Sequence, residues 1–480
     1  MSQHVDVLIV GAGLSGIGAA AQLTRGAPDR SYLILEARAA SGGTWDLFRY
    51  PGIRSDSDMF TFGYRFRPWR DNRTLADGPS ILAYIRETAT AYGVDDKIRY
   101  RHRVVSAEWS TQQRRWTVTA EHDGAEVEFT ADILWSCGGY YSYESGYTPQ
   151  FSGRESFGGM IVHPQQWPVD LDYADKRVVV IGSGATAVTL VPAMAETAAH
   201  VTMLQRSPTY VLSRPGVDEV AARIRRILPA RAAFGVIRWK NVMVASAFYR
   251  ACQRAPRLMR KVLRKQVEAA LPAGYDVATH FNPTYDPWDQ RLCFVPDNDL
   301  FDAIAEGRAE VVTDQIERFD QTGILLRSGR HLDADIIVTA TGLELKAMGG
   351  AGLVVDGKPV NLPDTMGYKA KMLSGVPNFF YTVGYTNASW TLKADLVAEY
   401  VVRVLHHLRR TNTRIVVPVR DPEVGERPFM DFEAGYVLRA LDHLPKQGDR
   451  APWLLKQDYL RDVATIRAGR LDDGVLSFRP

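Results

Sequence analysis

Residues 5–10, apolar but for Asp6, and residues 177–181, apolar after Arg177, are two hydrophobic runs, and each ends in a glycine-rich turn. Such runs predict parallel strands buried on both faces. After the first turn an Ala-rich stretch to about residue 25 predicts a helix, and residues 31–35 predict a second strand. Residues 80–95 have helical periodicity. Residues 103–109, 115–120 and 126–129 alternate as strands, and an apolar run follows to residue 139. A strand at 200–204, another closing at 333–342, and a last strand at 378–383 leading into a helix from about residue 392 complete an alternating pattern. The stretch 215–280 differs, reading as helices punctuated by Pro229, Pro256 and Pro272. This pattern predicts an α/β fold with two Rossmann-like units and a helical insert in the second.

The turns add chemistry. The first reads Gly11-Ala12-Gly13-Leu14-Ser15-Gly16. Here Gly11 permits a tight turn, Gly13 lets the backbone approach a pyrophosphate, and Gly16 allows helix and strand to pack closely. The following helix N-terminus, with Ser15 in its first turn, offers N–H groups to phosphate. The second strand ends in Glu36, which suits ribose hydroxyls and disfavours a 2′-phosphate, so this loop is expected to hold the ADP half of FAD. The second turn reads Gly182-Ser183-Gly184-Ala185-Thr186-Ala187, and its partner strand ends in Arg206-Ser207. A guanidinium there suits a 2′-phosphate, predicting NADPH. Thr341 and Gly342 end the strand expected to close this second unit and are expected among its cofactor-binding residues.

Between the two turns lie Gly42-Gly43-Thr44-Trp45, Tyr50-Pro51-Gly52 and Asp56, then Phe157, Gly159, His163, Trp167 and Pro168. Together these resemble the fingerprints of type I Baeyer–Villiger monooxygenases, closest to the actinobacterial prodrug-activating subgroup that includes the ethionamide-activating enzyme. The likeness spans nearly the whole chain. It implies FAD and NADPH, with ketones converted to esters or lactones through a C4a-peroxyflavin, and oxygenation of sulfur in thioethers or thioamides. Arg291 is implied as the cation over the flavin and Asp56 as the carboxylate orienting it; where many relatives have Lys-Arg, this chain has Gln290-Arg291. Gly43, Thr44 and Trp45 are expected at the flavin, and Ser389 and Trp390 on the substrate side. Phe157, Gly159, His163 and Trp167 are expected to govern domain movement, His163 as a structural hydrogen-bonder. The expected division is residues 1–145 with 343–480 for FAD, 146–214 with 283–342 for NADPH, and 215–282 for the insert.

Three rivals stay open. A flavin-containing N/S-oxygenase would share the cofactors without needing Arg291. A disulfide reductase would need a redox cysteine pair, which Cys137, Cys252 and Cys293 do not form by spacing. A non-catalytic flavin-binding protein would make the basic insert its main feature.

Composition changes little. The 480 residues, 46% apolar and 24% charged, carry a net charge of +3, too small to make nucleic acid the main partner. No apolar run approaches a membrane span, and the first ten residues lack signal-peptide character. The expected location is cytoplasmic, either free or peripheral to the inner face of the membrane through the basic helical insert, with small-molecule ketone or sulfide and O₂ as partners. Cys137 is expected to be packing.

Overall fold

The computed structural model describes residues 3–290, 292–430 and 434–480. Two sheets organise it. In the first, Gln3–Val10 runs parallel to Tyr32–Leu35 on one side and to Ala125–Ser136 on the other. The latter is one strand of 12 residues where the sequence suggested two runs. Its first half pairs antiparallel with Arg115–His122, and its second half runs parallel to Gln3–Val10 and Phe379–Tyr381. A change of partner without a change of direction leaves no break in the apolar pattern. Arg103–Ser110 and Gly352–Val355 extend this sheet outward.

The second sheet is wholly parallel, ordered Ala309–Thr313, His200–Gln205, Arg177–Ile181, Ile336–Thr339, Met160–Val162. Each sheet has apolar clusters on both faces, as the apolar runs require. Both glycine turns therefore sit at the carboxyl ends of central strands, where doubly wound folds bind ligands.

Helix boundaries follow their caps. The helix expected at 80–95 is Gly78–Ala91, because Asp77 accepts the Ser80 N–H at 2.8 Å and Pro79 sits in the first turn. The helix expected from residue 392 begins at Trp390 and runs to Thr411. The insert forms Glu219–Ile227, Ala230–Arg254, Pro256–Ala270 and the short Val277–His280. Pro229 caps the second helix and Pro256 opens the third, so these two prolines mark helix starts, whereas Pro272 follows the end of the third. An antiparallel trio, Ile316–Asp320, Gly323–Leu326 and His331–Asp333, was not expected from the pattern. Among the described residues no helix is long and apolar enough to cross a membrane.

Candidate active site

The first glycine loop is held by backbone against backbone. Gly11 has φ +99°, and a Cβ there would lie 2.7 Å from the Cys137 carbonyl oxygen. A Cβ on Gly16 would lie 1.8 Å from the carbonyl oxygen of Gly11. Gly13 faces Gly43, whose φ is +57° and where a Cβ would lie 2.9 Å from the Gly13 Cα, so no side chain fits. The two motifs thus form one glycine-lined cradle.

Glu36 is buried beside it. One carboxylate oxygen accepts the Ala12 N–H at 2.7 Å and the other the Arg38 N–H at 2.9 Å. Burial raises its pKa above the usual carboxylate value, and those N–H donors offset only part of the rise. A cavity of about 550 Å³ opens here, with Gly11, Gly13, Ser15, Glu36, Gly43, Thr44, Trp45 and Asp56 on its wall. Thr44 Oγ1 is 2.7 Å from the Tyr141 hydroxyl. Trp390 reaches the same cavity, donating Nε1–H to Ser15 Oγ at 2.8 Å and stacking on Tyr140 at 5.1 Å. The helices Leu14–Gly26 and Trp390–Thr411 therefore both start at this cavity, aiming two positive dipole ends at it. A cradle that any Cβ would fill, a buried acid and two helix N-termini fit a dinucleotide bearing a pyrophosphate.

A second cavity of about 130 Å³ shares Asp56, Ser57, Thr386 and Ala388 with the first. Ser389 opens onto this second cavity, its hydroxyl buried without a partner among the described residues. Adjacent residues Ser389 and Trp390 thus serve different cavities. Sequence reasoning missed three residues here. Arg214 lies 3.6 Å over the Phe294 ring, its pKa lowered by burial and held up in part by Asp58 and Asp56. Trp288 has φ +79° and a buried indole N–H without a partner among the described residues, and Tyr249 packs edge-on to it. A lone arginine and scattered aromatics carry no periodic signal; only the positive φ of Trp288 marks the spot, and sequence does not show it. Arg291 lies outside the described residues.

The second glycine loop is built alike. Gly182 has φ +139°, and a Cβ there would meet the Ala340 carbonyl oxygen at 2.4 Å. Gly184 leads into the helix Ala185–Met194, with open space where its Cβ would be. Ser183 Oγ is 2.7 Å from Thr209 Oγ1 and donates to the Ser207 carbonyl. Arg206 and Ser207 are exposed at the strand end. Thr186 faces the other unit: its hydroxyl offsets part of the burial that pushes the Tyr50 phenol up to about 12. Gly52 has φ +74°, and a Cβ there would meet the Ala193 side chain at 2.6 Å. Arg54 pairs with Asp299 at 2.7 Å. The Tyr-Pro-Gly segment is thereby a contact between the two units.

His163 stands at the crossing between the sheets. Tyr141–Gly146 pairs antiparallel with Leu343–Leu345, the Tyr147 N–H donates to the Gly342 carbonyl at 3.0 Å, and Thr341 Oγ1 donates to the Tyr147 carbonyl at 2.6 Å. Thr341 and Gly342 thus belong to the crossing itself. The imidazole packs on Gly146 so closely that a Cβ there would lie 1.9 Å from the ring. Nδ1 accepts the Gln165 N–H at 3.2 Å, Nε2 is buried without a good hydrogen bond among the described residues, and burial lowers the pKa against an opposing pull from the Gly342 backbone, favouring the neutral ring. Gly159 serves the same segment, since a Cβ would lie 2.3 Å from the Asp335 carbonyl oxygen and 2.7 Å from the Phe157 ring. Phe157 is buried and Trp167 packs against the second core. Gly146→Ala should lower stability by about 1–3 kcal/mol through overpacking, and adding His163→Ala should restore at least half of it. Thermal melts of the single and double variants check this; no recovery would mean that His163 is not the obstacle.

Residues 58–347 match the flavin-binding monooxygenase-like family, and residues 9–74 match the NAD(P)-binding Rossmann-like domain. The chain belongs to the flavin-binding monooxygenase-like family. This monooxygenase is 57% identical to the FAD-containing monooxygenase EthA of Mycobacterium tuberculosis, over 100% of this chain and 98% of that one. It is 54% identical to EthA of Mycolicibacterium smegmatis with the same coverage. Identity to the putative FAD-containing monooxygenase MymA of Mycobacterium tuberculosis is 51%, again over 100% and 98%. Among solved structures, a steroid monooxygenase bound to NADP superposes with a TM-score of 0.80 at 23% identity, covering 99% of this chain and 100% of that one. OTEMO in complex with FAD and NADP gives 0.72 at 23%, covering 88% and 87%. Those structures share the fold of this monooxygenase. The recognition and the two-Rossmann architecture expected from the sequence are both borne out.

Proposed function

We propose that this monooxygenase binds FAD in the first cradle and NADPH at the second, and inserts oxygen beside the carbonyl of ketones to give esters or lactones. Sulfur in thioethers and thioamides is oxygenated at the same site. When bound, the flavin supplies electron transfer from NADPH and the activation of O₂. The protein supplies placement and charge. Glu36 holds the FAD ribose, and exposed Arg206 takes the NADPH 2′-phosphate. The FAD unit comprises residues 1–145 and 343–480, the NADPH unit residues 146–214 and 283–342, and residues 215–282 are a helical insert in the latter that packs on both. The helical insert is also where the enzyme meets a membrane surface.

One observation carries the Baeyer–Villiger reading: Asp56 stands on the wall common to both cavities, between the cofactor cradle and a second cavity with buried donors. Arg291, one residue before cavity-lining Leu292, is the cation that holds the oxyanion developing during attack on the carbonyl, and Asp56 orients it. Ser389 and Trp390 mark the substrate side and the flavin side of that junction. Arg291→Ala should leave NADPH oxidation intact and lower ester formation by at least about 10²-fold. Product analysis with a panel of ketones and sulfides checks it. Ester at the wild-type yield would remove Arg291 from this role, and sulfoxide without any ester would favour the N/S-oxygenase.

A further inference from the structure

The insert holds most of the exposed apolar side chains of the molecule. Among the described residues fourteen large hydrophobics are exposed, and ten of them lie between Val217 and Val262. On the helix Ala230–Arg254 they include a ridge at helical spacing: Val236, Trp239 and Met243 are 48%, 46% and 51% exposed. The opposite face is committed. Phe234, Ile237 and Val242 are buried, and Val242, Ala245, Ser246 and Tyr249 wall the second cavity. One helix is thus both the wall of the substrate cavity and an apolar ridge facing solvent. Exposed apolar ground of this kind usually marks an interaction surface.

Charge says which. Residues 215–280 contain thirteen Arg and Lys against four Asp and Glu, while the whole chain is only +3, so the remainder is net acidic. Some of these cations are spent internally: Arg238 pairs with Asp395, Lys240 with Asp218, and Arg264 with Glu268. Arg226, Arg231, Arg254, Arg257, Lys261 and Lys265 are exposed, with no carboxylate partner among the described residues. Beside Trp239 lies a groove of about 400 Å³ lined by Arg25, Arg65, Arg231 and Arg467. Arg65 and Arg467 share Glu399, which leaves Arg25 and Arg231 without a carboxylate there. An apolar ridge with an exposed tryptophan among exposed cations has the composition of a helix that lies in a headgroup layer. A second copy of the chain is a poor occupant, because pairing the inserts would bring like charges together.

We propose that this ridge docks on an anionic phospholipid bilayer, and that the substrates are apolar ketones or sulfides dissolved in it. They enter the second cavity past the helix that touches the lipid. The substrate class rests on the monooxygenase reading above; the docking does not.

The test is flotation of the full-length flavin-loaded enzyme with vesicles of phosphatidylglycerol and phosphatidylcholine, against vesicles of phosphatidylcholine alone. The enzyme should float with the first and not the second, and raised salt should weaken binding. Trp239→Glu combined with Met243→Glu should cut the bound fraction at least about tenfold. The same variant should keep wild-type NADPH consumption with a short, water-soluble ketone, which also shows that it folds. With a long-chain ketone dissolved in the vesicles, wild type should outpace the variant by a similar factor. Unchanged flotation of the variant overturns the docking. So does a wild type that stays with the vesicle-free fraction, or one whose ridge proves by light scattering to hold a dimer. A variant that loses the vesicles yet oxidises the lipid-dissolved ketone at the wild-type rate overturns the delivery route. A wild type that floats but oxygenates neither ketone upholds the docking and defeats the reaction reading instead.

Discussion

Gly16→Ala should give a protein that purifies without its yellow flavin. The added methyl would start 1.8 Å from the Gly11 carbonyl oxygen, and that obstacle is backbone, not a side chain able to rotate away. Either the helix Leu14–Gly26 moves off the strand or the Gly11 turn opens. Both changes carry the helix N-terminal N–H groups away from where a pyrophosphate would lie. Flavin affinity should fall at least about 100-fold, equivalent to about 3 kcal/mol. The flavin-to-polypeptide ratio of the purified variant measures it. A stoichiometric ratio would show that the loop relaxes without disturbing the cradle. Because oxygenation needs the flavin, all activity should go with it, whereas the apolar clusters of both sheets should keep the chain folded.

The second large effect is on stability. Arg238 of the insert is 5% exposed and donates to the carbonyls of Phe60, Thr61 and Gly63 at 3.0, 3.1 and 2.6 Å. Its other terminal nitrogen donates to Asp395 at 2.9 Å, and the same carboxylate oxygen accepts the Arg65 N–H. Burial pushes the Asp395 carboxyl up to about 6, with Arg238 pulling against that rise. Arg238→Met leaves a buried carboxylate without its cation and should cost about 3–5 kcal/mol. The pH dependence follows from linkage. A carboxyl whose folded pKa exceeds its unfolded value favours the folded state most below the unfolded pKa, and that benefit is lost as pH rises through the folded pKa. Without Arg238 the folded pKa climbs further, so the loss extends to higher pH. The gap between wild type and variant should be widest near about pH 8 and narrower at about pH 5, where Asp395 takes up a proton. Urea unfolding at both values tests it, and Asp395→Asn in the variant should recover part of the deficit. A gap independent of pH would mean that Asp395 is not the origin of the cost.

What the sequence disclosed depended on how local the cause was. Gly11 and Gly182 are legible because a positive φ and a carbonyl oxygen within reach force glycine whatever the distant fold does. Glu36 and Arg206 are legible because strand and turn fix their places. The Tyr50–Gly52 segment read as part of a flavin motif, yet its closest neighbours Thr186, Thr189 and Ala193 lie on the other unit, more than a hundred residues away. No local pattern encodes such a contact. Arg214 and Trp288 escaped for the same reason. The insert was legible as basic helices. Its exposed ridge was not, since periodicity shows that a helix has an apolar face and not which apolar residues stay uncovered.

The three cysteines have a consequence of their own. Cys137 on the wall of the cofactor cavity, Cys252 in the insert and Cys293 beside the second cavity are all buried. Burial pushes the first thiol up to about 12 and the second up to about 11. Hydrogen peroxide attacks the thiolate, and at neutral pH a thiol shifted that far is almost never in that form. An oxygenase that occasionally misfires releases this oxidant inside its own walls. Here Cys137, on the wall of the cofactor cavity, is kept in the form least able to react, so its oxidation to sulfenic acid should be slow even when turnover is poorly coupled.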